Sequence, residues 1–553
     1  MRTLLLFIAL INAVTSINIL IYLIGTNQFE RNSLEFLAQQ LALRHHNVIT
    51  IKPILIPEEP RLVKPKLHLV REKVIKNVLS KEIYQSLEVA IPNVAWKKNY
   101  DADSYLNAYY KSHNASCYKL LNSNLIDSLK KESIDLSIVY SGNPCLLAIN
   151  HLVAIPTIYY DTEGFTDETV IASATPINLR IPPTSCAIPE TSDCQLCSMY
   201  RSAFCYTQEM IAQMGLPVIS SLVSRRYAKI DEPITSMFAN DYTIKKTKKH
   251  FPNVNILKHQ SVAFFVNSDP LLEPPRAIPP NVIHVGGMHI DHPKPLFSPW
   301  NTTIERAEKG MIIVTFGTQA DSSKMSSSQA KAVLGALSKL TDYRIYWRVG
   351  PNMKVDGIDE EKVPSHINLT TYIPQNDLLA HKACKLLVTN GGMSSIMEAV
   401  AHGVPIVGVP LYGSNRANLA KVAAKSLGVI VEKYQLSESS LLAAMKKVLD
   451  TVKYKTTAKE MSKEFKSRAT GPFAAALHTI DHIGRHLSFA FFQPPYIPIW
   501  QRTDFIACII FLILPILIIF KSFTFWSSVL FSRKTASDRS EKGDKKHESK
   551  KNR

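Results

Sequence analysis

The chain has 553 residues, 46% of them hydrophobic, with 64 Lys/Arg against 46 Asp/Glu. That length holds two large domains, each able to bury its own core, plus appendages. The formal charge of +18 is partly local, since residues 533–553 carry nine Lys/Arg against four Asp/Glu. No stretch alternates basic and aromatic residues along a groove, so nucleic acid is not the expected partner.

In chain order, residues 1–16 combine Arg2, an apolar core from Leu4 to Ala13 and small residues up to Ser16. This is a signal-peptide layout, too short to span a bilayer, and cleavage near Ser16 is expected. Because the apolar run resumes with Ile17-Asn18-Ile19-Leu20-Ile21-Tyr22-Leu23, a signal anchor is the competing reading. Residues 17–24 read as a first strand, Asn32 to Arg44 as a helix with Leu34, Leu37 and Leu41 on one face, and Asn47 to Ile51 as a second strand. That is the opening of a Rossmann-like domain. Residues 53–130 mix helices with basic loops and carry no interpretable motif. A strand at Ile134–Val139, a helix at Leu146–Val153 and a strand at Ile155–Tyr160 continue the alternation.

The Pro/Cys-rich segment 175–205 interrupts it and reads as an insertion. Cys186, Cys194, Cys197 and Cys205 crowd there, and in an oxidising lumen they suggest one or two disulfides. Cys194-Gln195-Leu196-Cys197 is half of a zinc pattern, but no second pair follows at ligand spacing, so no metal is expected. Lys245-Lys246-Thr247-Lys248-Lys249 reads as a solvated face. A strand at Ser261–Val266 precedes the proline-dense linker Pro270–Pro280, which is stiffened by fixed φ angles.

A second domain is expected to begin near Val282, with strands Met311–Thr315 and Arg344–Arg348. Leu386-Leu387-Val388 reads as a buried parallel strand that breaks into Thr389-Asn390-Gly391-Gly392. A helix follows from Met393-Ser394-Ser395 to a stop at Gly403, and then the strand Pro405–Val409. Strand, glycine turn, helix, strand is the βαβ unit of a nucleotide-binding sheet. The unpaired N–H groups at the helix start would hold phosphate. Helical pattern persists from Ser437 to about His486.

Phe505 to Phe520 is uncharged and nearly all apolar, with Lys521 able to snorkel and a basic tail behind it. The expected topology is a type I membrane protein with a lumenal body. Asn114-Ala115-Ser116, Asn301-Thr302-Thr303 and Asn368-Leu369-Thr370 are then glycosylation acceptors. The expected units are a signal peptide 1–16, an N-terminal domain 17–281, a C-terminal domain 282–486, a membrane-proximal segment 487–502, a transmembrane helix 503–522 and a cytosolic basic tail 523–553.

Pro374-Gln375-Asn376-Asp377-Leu378-Leu379, Gly391-Gly392, Glu398-Ala399, His402-Gly403-Val404-Pro405 and Pro410-Leu411 resemble the signature of the UDP-glycosyltransferases, close to the UDP-glucuronosyltransferases of animals. Asn267-Ser268-Asp269-Pro270, Pro275-Arg276, Pro280-Asn281-Val282 and Val285-Gly286-Gly287 resemble that family's interdomain segment, and Phe316-Gly317-Thr318 its first glycine loop. The likeness covers nearly the whole chain, densest over residues 260–420. Lys550-Lys551-Asn552-Arg553 resembles the dilysine retrieval signal of endoplasmic-reticulum membrane proteins.

The resemblance implies the GT-B architecture, an α/β fold of two Rossmann-like domains facing a cleft. The C-terminal domain would take UDP-sugar as co-substrate, with no separate cofactor, and the N-terminal domain a small lipophilic hydroxyl-bearing acceptor. By the same resemblance Tyr372 stands where an aromatic ring stacks on uracil. Gln375 would bond the uracil edge. Gly391, Gly392, Ser394, Ser395 and Thr318 would face the pyrophosphate, and Glu398 the ribose hydroxyls. Two positions depart from the family yet keep hydrogen-bonding groups for the donor: Asn390, a neutral donor, replaces a phosphate-contacting His, and Ser414-Asn415 replace an Asp-Gln pair that binds the sugar, with the carboxylate lost, so the sugar is left open.

The family reaction inverts the anomeric centre, with a His after the first strand as base and an acid after a later strand to orient it. This chain has no His there; Glu30 falls at the base position, and Tyr140 or Ser141 at the acid position. An ordinary Glu is about two pKa units more acidic than His, hence a weaker base near neutrality, although burial can raise it. Two functions follow: a membrane-anchored transferase acting on lipophilic acceptors, or a nucleotide-sugar-binding regulatory subunit that pairs with active relatives.

Overall fold

The computed structural model describes residues 16–23, 28–55, 69–97, 102–184, 194–246, 250–304, 308–318, 320–350, 354–486 and 492–548. The signal-peptide expectation for 1–16 lies almost wholly outside them, and so do Cys186 and the dilysine motif.

Long runs of Ile, Leu, Val and Tyr without polar alternation favour strands covered on both faces, the condition of parallel sheets. Two such sheets form. The first orders as β3-β2-β1-β4-β5-β6-β7, from β1 (Asn18–Tyr22), β2 (Asn47–Pro53), β3 (Arg71–Ile75), β4 (Leu136–Tyr140), β5 (Thr157–Asp161), β6 (Ala263–Val266) and β7 (Val282–His284). The second orders as β10-β9-β8-β11-β12-β13, from β8 (Gly310–Thr315), β9 (Tyr343–Arg348), β10 (Ile367–Thr370), β11 (Cys384–Thr389), β12 (Ile406–Gly408) and β13 (Gly428–Ile430). Every neighbouring pair is parallel. Strand order reverses between β1 and β4 in one sheet and between β8 and β11 in the other; crevices at such points hold ligands in open α/β sheets.

Helix α1 (Gln28–Leu43) buries Leu34, Leu37 and Leu41 against the first sheet, as their spacing predicts. Helix α2 (Lys81–Trp96) reaches the second domain through Trp96, whose indole donates to the Asp321 carbonyl at 2.7 Å. Helix α3 (Ala102–Leu121) is tied to α4 (Pro144–Leu152) by the Cys117–Cys145 disulfide, a pairing that sequence spacing does not signal. Helix α5 (Asp167–Ala172) leads to the Cys-rich insertion. There Cys194–Cys197 form a disulfide, and α6 (Gln195–Gln213) starts inside the segment read as an interruption. Cys205 is also disulfide-bonded.

Three boundaries need correction. Val282–His284 closes the first sheet as its edge strand and does not open the second domain, because it pairs with Phe264–Val266. The helix Pro472–His486 buries Ala476, Leu477, Ile480 and Ile483 in the first domain's core, so the chain crosses back before it reaches the apolar segment. The helix expected over 503–522 runs from Thr503 to Glu548, since no proline or glycine follows Pro515 until Gly543. Its stretch Thr503–Leu530 is long and apolar enough to cross a membrane.

Candidate functional site

The donor candidates gather at the carboxyl ends of β8 and β11. These strands pair with Thr315 aligned to Thr389, so the loops that follow start at the same height. After β11 the chain turns at Gly391, where φ is +93° and a Cβ would lie 2.5 Å from Leu419 Cγ; only glycine fits. Gly392 then caps α8 (Met393–His402), which ends at Gly403 in the left-handed conformation, as the sequence predicts. Gly392 offers no side-chain cap, so the first-turn N–H groups of α8 are left for a ligand, the arrangement that holds phosphate. From the facing loop the Gly317 carbonyl accepts from Arg348 at 3.0 Å, with Thr318 half-buried beside it.

Helix α7 (Gln375–Ala380) packs beside α8. Gln375 Nε2 donates to Glu398 Oε2 at 2.6 Å and to Ser395 Oγ at 3.0 Å. Glu398 Oε1 lies 3.4 Å from His289 Nε2, a neighbour that sequence reading missed. His289 follows Gly286-Gly287, so that motif is what delivers an imidazole to the donor frame. Tyr372 is 55% exposed, which leaves its ring face open for stacking.

Several expected contacts are already spent on internal bonds. Asn390 does not project as a phosphate donor. Its Nδ2 donates to the Tyr412 hydroxyl (3.3 Å) and to Asn415 Oδ1 (3.4 Å), and its Oδ1 accepts from the Gly392 N–H at 3.4 Å. It braces the glycine turn. Asn415 is buried, and its Oδ1 accepts from Asn390 and from the Tyr412 N–H at 3.3 Å. Ser414 Oγ accepts from Asn418 at 3.4 Å, and Ser394 Oγ accepts from Asn267 of the first domain at 3.3 Å.

The first domain meets this frame through its own carboxyl edge. Asn418, on α9 (Asn415–Ala424), donates to the Glu163 carbonyl at 3.1 Å and to the Gly391 carbonyl at 3.4 Å. Glu163 itself is exposed in the loop after β5, with Oε2 3.8 Å from where a Cβ on Gly413 would stand. A carboxylate from the other domain thus stands beside Gly413, the residue before Ser414-Asn415. The interdomain segment is clamped by Lys421–Glu273 at 2.5 Å and by a two-pronged Arg468–Asp269 pair. Burial alone would raise the Glu273 carboxyl, but Lys421 and the hydrogen bonds from Lys421 and Ser268 hold it below the usual range.

On the acceptor side the expectations fare less well. Glu30 falls in the first turn of α1, beside the strand reversal of the first sheet; its side chain lies outside the described residues. Tyr140 is 2% exposed, and its hydroxyl accepts from Asn143 at 3.2 Å inside the core, so it does not face the cleft. Ser141 Oγ is taken by the Thr162 N–H at 3.4 Å. The carboxylate that does end a strand here is Asp161, which receives Thr166 N–H (2.9 Å), Thr166 Oγ1 (2.6 Å) and Thr169 Oγ1 (2.6 Å). Burial pushes it up to about 6 against those bonds, and it serves to start α5.

With this geometry in view, residues 24–494 match the family described as UDP-glucoronosyl and UDP-glucosyl transferase. The chain belongs to that family. Among its relatives, human 2-hydroxyacylsphingosine 1-beta-galactosyltransferase is 29% identical over 372 residues, 66% of this chain and 62% of that protein. Human UDP-glucuronosyltransferase 1A3 is 25% identical over 403 residues, 72% of this chain and 69% of the relative. The match to the galactosyltransferase therefore spans under two thirds of that protein's length. Crystal structures of Os79 from O. sativa, one with UDP and one with U2F and trichothecene, superpose with a TM-score of 0.54, covering 85% of this chain and 100% of theirs. At 13% and 14% identity this likeness shows the fold alone, which is GT-B.

Proposed function

We propose that the chain binds a UDP-sugar and transfers the sugar, glucuronosyl or glucosyl, to a small lipophilic hydroxyl-bearing acceptor. It would do so by inverting displacement of UDP, with the body in the endoplasmic-reticulum lumen and the apolar helix as a type I anchor. The observation that carries this reading is the linked set Gln375, Ser395 and Glu398 beside two glycine loops at the strand reversal of the second sheet. A free helix start supplies N–H donors for pyrophosphate. Glu398 supplies a carboxylate for vicinal ribose hydroxyls, and Tyr372 an open ring for the base.

In the transfer step the acceptor oxygen gives up its proton as it forms the bond to the sugar's C1, and the C1–O bond to UDP breaks. Glu30 is the group assigned to take that proton. A first-turn position favours its ionised form, ready to accept a proton but with weaker drive than imidazole.

The enclosed Tyr140 and the occupied Ser141 support a second reading, in which the chain holds nucleotide sugar without turnover and partners active relatives. Detergent-solubilised protein incubated with several UDP-sugars and a panel of phenols separates the two. UDP release supports the transferase; UDP binding by calorimetry without release under any pairing supports the regulatory subunit. Absence of UDP binding would overturn both.

A further inference from the structure

We propose that Trp96, a residue of the N-terminal domain, is a positioning residue for the donor: it holds the second domain's loop Phe316–Asp321 in the shape that receives the diphosphate. This rests on reading that loop as part of the nucleotide-sugar site.

The end of α2 is buried in the other domain. Among the described side chains of this helix only Leu87, Ala95 and Trp96 are buried, and Val89 is 59% exposed. Ala95 and Trp96 are its last two residues, and both lie in the core cluster of the second domain with Phe316, Ala320 and Met325.

Trp96 grips the loop on both flanks. Before Gly317, the Phe316 ring meets the indole edge to face, with centroids 5.2 Å apart and planes at 85°. After Thr318, the Asp321 carbonyl accepts from the indole N–H at 2.7 Å and from the Lys324 N–H at 3.0 Å. The Trp96 carbonyl is one of those a helix end leaves without an intrahelical donor. It accepts from Gln329 Nε2 at 2.9 Å. Gln329 Oε1 in turn accepts from the Ser326 N–H at 3.0 Å, where the helix Ser327–Ser338 begins. One residue of the first domain is thus bonded to the loop and to the helix start that follows it.

Between the two grips stand the residues that a phosphate would meet. Gly317 and Thr318 are half-buried, flanked by buried Phe316 and Ala320. Gly317 has φ +81°, and a Cβ there would lie 3.3 Å from Asn390 Nδ2. Asn390 Oδ1 accepts from the Gly392 N–H, so the two glycine loops rest on each other. A shift of the first loop is passed to the turn at Gly391-Gly392. The phosphate cradle therefore keeps its shape only while the end of α2 is seated in the second domain.

Tryptophan joins a broad apolar ring to one N–H donor, so phenylalanine at position 96 keeps most of the packing and loses the bond to Asp321. The test titrates the detergent-solubilised full chain with UDP and, by competition, with uridine, at a temperature well below each variant's thermal midpoint. Trp96→Phe should weaken UDP by about tenfold, the scale of one lost hydrogen bond, and leave uridine affinity at the wild-type value. Gln329→Glu keeps an acceptor for Ser326 but sets an oxygen against the Trp96 carbonyl. It should have the same effect, and it carries the test if Trp96→Phe does not fold. Wild-type UDP affinity in both variants would overturn the positioning role and leave the nucleotide site standing. Equal losses of UDP and uridine would also overturn it, by showing a general loosening of the domain. A wild type that binds neither ligand would overturn the nucleotide site and the inference with it.

Discussion

Gln375 Nε2 donates to Glu398 Oε2 at 2.6 Å, which locks the first residue of α7 to the second turn of α8. One residue would read the base and the other the ribose, so their bond sets the spacing of the nucleoside. Glu398→Ala should weaken UDP binding by tenfold or more, the equivalent of about 1–3 kcal/mol for a lost directional hydrogen bond. Calorimetry with UDP measures it, and an unchanged affinity would remove Glu398 from the nucleotide site.

Glu163 offers a different readout, because its carboxylate stands beside Gly413 and makes no contact with Gln375 or Glu398 among the described residues. Glu163→Gln should raise KM for the UDP-sugar several-fold, or alter the preference among UDP-sugars, with UDP affinity unchanged. If KM and sugar preference both match wild type, the missing acid at Ser414-Asn415 is not replaced from the first domain.

The strand, glycine turn and helix of the second domain were legible because their signals are local. The strand Leu386–Val388, the turn Gly391-Gly392 and the stop at Gly403 are contiguous, and each is dictated by sterics that neighbouring residues reveal. What escaped was carried by contacts between distant segments. Asn390 read as a phosphate donor because its side-chain partners, Tyr412 and Asn415, lie more than twenty residues away. His289 and Glu163 reach the frame from the linker and from the other domain, and no spacing rule connects them to Glu398 or Gly413. The edge strand Arg71–Ile75 has the sequence REKVI, with no apolar run to mark it. The return of Pro472–His486 to the first core likewise depends on which apolar surface remains uncovered.

A buried ion cluster makes the first domain sensitive to acid. Glu168 contacts Arg226, lies 2.6 Å from Lys258 and accepts from the Tyr159 hydroxyl at 2.8 Å. Burial alone would raise its carboxyl, but Arg226 and Lys258 hold it well below the ordinary carboxylate range. A carboxyl depressed on folding adds stability that is complete above its unfolded value of 4.5 and is lost as pH falls below it. Glu168→Gln leaves buried Lys258 and half-buried Arg226 short of a partner and should cost roughly 3–5 kcal/mol at neutral pH. Its thermal midpoint should also fall less than wild type's between about pH 5 and pH 3. Equal midpoints at pH 7 would show that the cluster contributes nothing.

The three sequons should not behave alike. Asn301 is exposed, and Asn368 lies on the edge strand β10. Asn114 sits half-buried within α3 with its Nδ2 donating to the Lys229 carbonyl at 2.8 Å and Ser116 buried, a bond that a glycan on that nitrogen would displace. In microsomes, Asn301→Gln and Asn368→Gln should each remove one endoglycosidase-sensitive mobility step, and Asn114→Gln none. A step lost with Asn114→Gln would mean that α3 packs differently in the mature protein.

The catalytic assignment is the most exposed to refutation. Glu30 stands in the first turn of α1, and Tyr140 is withdrawn into the core with its hydroxyl on Asn143. If Glu30 takes the acceptor proton, Glu30→Gln should slow transfer by about 10²–10⁴-fold with little change in UDP affinity. Glu30→His should retain or raise the rate near neutral pH, since imidazole titrates closer to that range. A wild type that binds UDP, turns over no donor and gains nothing from Glu30→His would favour the regulatory subunit. Full turnover by Glu30→Gln would instead put the base elsewhere in the first domain, and the search would pass to the residues that line the cleft beyond β4 and β5.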